Sequence, residues 1–430
     1  EVAGREGATL GGLAENGLLA DITPLLQDDP CTEAAYYALK TLFDALSRCQ
    51  EEIAAIAKEP GCLQAILAVL RSGPGSCTQA CQHLSAALLW STAANPGCVG
   101  QLAGCTGLVS TFLTVFNPEI DSGIQAAVSG ALAHLVGCAP VCHELNTLAS
   151  TLPTLATFLC ALTSSAAGAQ PTAPQPGGTE DCIYMRIHGM QILSSTLETA
   201  PRSSRERSSR DKRKGKREEA LSRVLMWLLS DNAVPQGGNA AARTPPTLLR
   251  QLQTMHERCL AAVVSAIESQ SAVVASKSSS PIATAAAKLL SRDFELRADD
   301  AEAHQASETT AGRMSLRLCR IILQLSAHLA SESARCRLAI GRESGFVAGL
   351  VRFMSTLGEE DDSAEAVAAA VAVLSQLARE PKFCGKIVRG SEKGRRARQP
   401  AMTVIARLAA AAAAGGRARR ALTPVVSDFL

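Results

Sequence analysis

Cysteine and histidine are the residues of this chain best suited to chemistry: 15 of the first and 7 of the second in 430 residues. Cys77 with Cys81, and Cys138 with Cys142 and His143, have spacings that a metal could use. A zinc module needs a second Cys/His pair at a fixed offset, and neither cluster has one. The cysteines are odd in number and scattered, mostly at positions such as Cys81 and Cys319 that suit a helix core. Buried reduced thiols are therefore expected, with no metal site and no disulfide scaffold. The histidines, His83, His134, His143, His188, His256, His304 and His328, are dispersed along expected helices. No GxxxxGK[ST], strand-associated GxGxxG, GxSxG or HExxH occurs, so nothing cradles a phosphate or activates a nucleophile. No catalytic residue and no cofactor are expected, and the chain does not read as an enzyme.

The elements that carry these residues are helices. Hydrophobic content is 47% but aromatic content only 3%, and Ala and Leu dominate. That mixture suits closely packed helices and not the Val-, Thr- and Tyr-rich alternation of a sandwich. No basic-then-apolar leader opens the chain, and no run approaches the roughly 18 to 20 apolar residues of a membrane span. A soluble protein without a transmembrane segment is expected, placed in the cytoplasm, with a cytoskeletal, ciliary or nuclear address also compatible.

Self-similarity decides the architecture. Counting five, eight and nine residues on from Gly17, Gly61, Gly107 and Gly345 gives Ile22, Leu25 and Leu26; Ile66, Val69 and Leu70; Phe112, Val115 and Phe116; and Leu350, Phe353 and Met354. Ser150 stands for the glycine of another copy, with Leu155, Phe158 and Leu159. After a turn, each mark is followed by a helix with one buried stripe at i, i+4, i+7, i+8 and i+11. The copies read Ala35, Leu39, Leu42, Phe43, Leu46; Ala80, Leu84, Ala87, Leu88, Ser91, which is weaker; Ile124, Val128, Ala131, Leu132, Leu135; Leu318, Ile322, Leu325, Ser326, Leu329; and Ala366, Ala370, Val373, Leu374, Leu377. Met190, Leu193 and Leu197, and Leu260, Val263, Val264 and Ile267, suit two further third helices.

With these offsets the sequence resembles the armadillo family over roughly 10–163 and 311–390. The resemblance implies an all-α fold, a right-handed α-α superhelix of about seven three-helix repeats with loop insertions, its third helices lining a concave groove. Four segments are expected: N-terminal armadillo repeats at 1–163; armadillo-like repeats interrupted by polar and basic insertions at 164–310; C-terminal repeats at 311–390; and a basic helical cap at 391–430. The stretches 164–178, 202–217, 231–246 and 276–310 have compositions that bury little and are expected as exposed loops.

Peptide-gripping members of that family carry an Asn just before the last apolar residue of the third helix, and its amide pairs with the peptide backbone. The matching positions here read Ala45, Trp90, His134, Thr196, Ala266, His328 and Gln376. No Asn is among them. Trp90, His134, His328 and Gln376 are left as the groove's candidate contacts, through stacking or hydrogen bonding. A folded or helical partner is favoured over an extended basic peptide.

The net charge of +2 hides strong segregation. Residues 1–201 hold 6 Lys/Arg against 17 Asp/Glu, while 202–217 hold 9 against 2 and 382–430 hold 11 against 2. The basic residues Arg210, Lys212, Arg213, Lys214, Lys216, Arg217, Arg395, Arg396 and Arg398 could touch an acidic surface such as tubulin tails. The run 202–217 also reads as a solvated insertion open to phosphorylation at its serines. It has no interleaved aromatics, so sequence-specific nucleic-acid recognition is not expected. The function that follows is a noncatalytic protein–protein scaffold or adaptor in a larger assembly. The alternatives are a microtubule- or cilium-associated structural protein and a transport receptor or chaperone cofactor.

Overall fold

The computed structural model describes residues 17–28, 32–48, 52–72, 79–168, 178–200, 211–230, 244–268, 279–302, 314–356, 361–383 and 387. Among these residues there are helices and turns and no strand. The chain divides into two units, Glu1–Ser208 and Ser209–Leu430.

Unit 1 contains α1 (Leu18–Asp28), α2 (Glu33–Arg48), α3 (Glu52–Lys58), α4 (Cys62–Arg71), α5 (Gln79–Ala94), α6 (Val99–Ala103), α7 (Leu108–Val115), α8 (Ser122–Leu135), α9 (Ala139–Thr147), α10 (Thr151–Gly168) and α11 (Gly178–Thr199). Its packing is that of a stack. The second helices follow one another, α1 on α4, α4 on α7 and α7 on α10, and so do the third helices, α2 on α5, α5 on α8 and α8 on α11. Each helix thus hides its stripe against the copy before and after it, which is how a repeat too small for its own core becomes stable. Unit 1 is an α-helical solenoid.

The glycines that mark the repeat in sequence have a shared cause. Gly17, Gly61, Gly107 and Gly345 are the described glycines with positive φ, from 67° to 79°, the left-handed region that costs a residue with a Cβ about 1 kcal/mol or more. Gly61, Gly107 and Gly345 turn the chain from a first short helix into the second, and Gly17 directly precedes α1. The residues counted from them are buried in every copy except at Leu25, which is 44% exposed; α1 has no preceding second helix among the described residues to cover it.

Polar contacts also tie α4 to the turn that opens the next repeat. The Gln64 amide donates to Thr106 O at 3.3 Å and accepts from Thr106 N at 3.0 Å, and Arg71 donates to Thr106 O at 3.3 Å and Thr111 Oγ1 at 3.1 Å. A Cβ on Gly107 would stand 2.5 Å from Arg71 Nη2. Gly107→Ala is therefore expected to lose about 1–2 kcal/mol, read as a lowered midpoint in thermal unfolding, and more than Gly100→Ala, where an added Cβ meets nothing within 4 Å.

Unit 2 contains α12 (Asp211–Leu228), α13 (Pro246–Glu268), α14 (Ser279–Glu302), α15 (Leu316–Glu332), α16 (Ala334–Arg342), α17 (Phe346–Thr356) and α18 (Asp361–Ala378). Here α13, α15 and α18 succeed one another as third helices, and α14 packs on α16 and α17. With α2, α5, α8 and α11, the described third helices number seven.

Parts of three expected loops are helix instead, the shortest being 164–168, which end α10. The stretch 276–310 contains α14, 24 residues long, whose Ile282, Ala283, Ala286, Ala287, Leu290 and Phe294 are buried. Its serines and acids obscured a stripe of small apolar residues. In 202–217, residues 211–217 open α12, because Lys and Arg are good helix formers and run directly into the stripe Ala220, Leu221, Val224 and Leu225. The expected C-terminal cap at 391–430 lies outside the described residues.

A buried polar cluster joins α14 to the start of α15. Asp293, 2% exposed, accepts from Arg297 Nε at 2.6 Å, Met314 N at 2.8 Å and the Cys319 thiol at 3.3 Å. Arg297 also donates to Met314 O at 2.6 Å and lies over the Phe353 ring. Both the N–H and the C=O of Met314, just before α15, are thereby satisfied.

Candidate partner-binding surface

The third helices of unit 1 present the residues singled out in sequence. Trp90 sits near the end of α5, 43% exposed. Its indole lies against α8 at Gly130, where a Cβ would come within 2.7 Å of Nε1. His134 is exposed in the last turn of α8. Since α5 packs on α8, these two side chains belong to neighbouring helices of one face. Tyr37 on α2 and Tyr184 on α11 are also exposed.

Two registers differ from the sequence reading. In α5 the fully buried stripe is Cys81, Ser85, Leu88, Leu89 and Thr92, one residue later than expected. Ser91, not Trp90, then precedes the last residue of that stripe, Thr92. In α11 Thr196 is itself buried and faces inward. The cause is the same in both helices. Thr92 donates to Leu88 O at 2.8 Å and Thr196 to Ile192 O at 2.7 Å, so each hydroxyl is satisfied within its own helix and packs like an apolar group.

In unit 2, His328 on α15 and Gln376 on α18 are half-buried on adjacent helices. His328 Nε2 and Gln376 Oε1 are shielded from solvent yet have no hydrogen-bond partner, a state that costs free energy. Ala45 and Ala266 are half-buried.

The basic residues divide. Lys216 is exposed on α12. Arg217 is half-buried with an unpartnered Nε, and burial lowers its pKa. Lys212, Arg213 and Lys214 belong to the first turns of α12, while Arg210, Arg395, Arg396 and Arg398 lie outside the described residues.

Sequence reasoning treated the remaining histidines as a dispersed set. The structure pairs His83 Nε2 with Asp121 Oδ1 at 3.0 Å, and Gln79 reaches Asp121 Oδ2 at 3.0 Å. His188 Nδ1 stands 3.4 Å from Ser129 Oγ. That Ser–His contact is not a nucleophile and its base: Ser129 is fully buried and its hydroxyl donates to Ala126 O. His256, also buried, bonds Leu228 O at 2.7 Å. The i, i+4 spacing of Tyr184 and His188 was the one sequence signal for a cluster on α11.

Among the described residues no three His, Cys, Asp or Glu side chains come together as a metal site. Cys81 is fully buried, Cys142 donates its thiol to Val136 O at 2.6 Å, and burial pushes the Cys62 thiol up to about 11. Cys77 lies outside the described residues. No single described helix is long and apolar enough to cross a membrane.

No family model matches the chain, and no curated protein matches it. Among solved structures, a crystal complex of SYS-1 and POP-1 is similar at 12% identity, over 98% of this chain and 79% of that one, with a TM-score of 0.47.

Proposed function

We propose that the chain is a noncatalytic scaffold of armadillo type that binds other proteins through the faces of its third helices. The observation that carries this reading is Trp90, a large aromatic left open on a helix face and braced from behind by the bare backbone at Gly130. Exposed Trp, Tyr and Arg are the side chains that most often anchor protein interfaces. In unit 2 the half-buried His328 and Gln376, whose Nε2 and Oε1 have no hydrogen-bond partner, offer polar groups in place of an exposed aromatic. The test is stoichiometric copurification of the full chain with a defined complex from native extract, repeated with Trp90→Ala/His134→Ala and with His328→Ala/Gln376→Ala. Loss of one or more hot-spot contacts should weaken capture about tenfold or more while the helical circular dichroism is kept. Unchanged capture by both variants would remove these faces from the interface.

A second reading rests on the segregated charge. Lys216 is exposed at the start of α12, in a run of 9 Lys/Arg against 2 Asp/Glu. Such a run suits an acidic lattice of the kind presented by microtubules. Salt-sensitive cosedimentation with microtubules that is lost on deleting 202–217 would favour it over the scaffold reading.

A further inference from the structure

Three imidazoles lie on the third helices of unit 1, and their surroundings differ. His83, on α5, has an anion in Asp121, the N-cap of α8. His134, on α8, is exposed, while His188, on α11, is half-buried against α8. The His188 ring stacks on Tyr184, one turn earlier, with centroids 6.2 Å apart. Because the Ser129 hydroxyl spends its proton on Ala126 O, it can only accept from His188. Nδ1 is then the protonated nitrogen of the neutral ring, and any further proton must go to Nε2.

Few charges are available to compensate that proton. On the elements packed against α11, the titratable groups are His134 on α8 and His143 and Glu144 on α9, besides Cys142 on α9, Cys138 at its N-cap and Cys160 on α10, which carries no charged residue. On α11 itself are Glu180, Asp181, Cys182, Tyr184, Arg186 and Glu198. Arg186 is turned to the other side, donating to Leu162 O on α10 at 3.1 Å. His134 is the group that acts on the His188 charge, and it acts by repulsion.

We infer that the contact between α8 and α11 is an acid-operated joint: protonating the half-buried His188, which meets only the neutral Ser129 hydroxyl on α8, sets a cation with no facing carboxylate across it, so it loosens. The joint between α5 and α8 differs in that its imidazole, His83, faces a carboxylate, Asp121, at 3.0 Å. Burial first, and His134 second, hold His188 down to about 4, so the loosening develops as the pH falls from 6 toward 4.

Amide hydrogen exchange on the full chain, corrected for the intrinsic pH dependence of exchange, tests this at pH 7 and pH 4.5. In the wild type, protection over 183–196 on α11 should fall about tenfold or more, while that over 81–92 on α5 holds. His188→Gln, which keeps a hydrogen-bonding amide without a titrating ring, should abolish most of the loss. His134→Gln, at an exposed position and expected to fold normally, should reduce it. An equal loss in the wild type and both variants would overturn the inference, and so would a loss spread evenly over α5 and α11.

Discussion

Asp293→Ala is expected to destabilise unit 2 by about 3–5 kcal/mol, a large share of the stability of a typical domain. The carboxylate it removes is 2% exposed and is the anion for Arg297, the acceptor for Met314 N and the acceptor for the Cys319 thiol. Without it, a guanidinium stays in a mostly buried site with no counter-charge, and a backbone N–H loses its partner. Both losses are desolvation costs that nothing repays. The double variant Asp293→Leu/Arg297→Met should recover part of the loss, since a buried pair replaced whole by apolar side chains of similar size is often close to neutral. Denaturant unfolding read at Trp227, in a Trp90→Phe background, checks both. A shift below about 1 kcal/mol for Asp293→Ala would mean that water takes over the vacated contacts.

That cluster was invisible in sequence, and the reason separates what patterning reveals from what it does not. Positive-φ glycines and apolar stripes recur with the repeat, so each copy supports the reading of the others. Phe112, Phe116 and Phe158 were all placed in the core from offsets alone and all are buried. Asp293, Arg297 and Met314 belong to no repeat offset, and the acids and serines around them read as loop. The shifted register of α5 has a related cause. A period counted on apolar residues passes over Ser85 and Thr92, which are buried because a helix can absorb a hydroxyl. The candidate surface was legible only as residue types. That Trp90 rests on Gly130, and that His188 meets Ser129, depends on contacts between helices about 40 to 60 residues apart, as expected for successive repeats, and no local spacing encodes them.

Phe158→Ala should cost unit 1 about 3–5 kcal/mol, the range for deleting a fully buried phenyl ring. The ring is 2% exposed and stacks on Phe116, with centroids 4.4 Å apart, so it ties α10 to the end of α7. It also sits beside Gly189 of α11, where an added Cβ would meet Leu159 Cδ2 at 2.7 Å and Phe158 Cε1 at 3.4 Å. Gly189 shows why the pocket cannot simply collapse. The α11 backbone is already in close contact with Leu159, so the gap left by the ring is held open by neighbours that have little room to move. Phe158→Leu keeps most of the volume and should cost under about 2 kcal/mol. Denaturant unfolding of unit 1, followed at Trp90 in a Trp227→Phe background, distinguishes these cases. Equal losses for Ala and Leu would show that the stacking geometry, and not the filled volume, holds α7, α10 and α11 together. A much larger loss for Ala would show that the repeat offset at this position encodes volume.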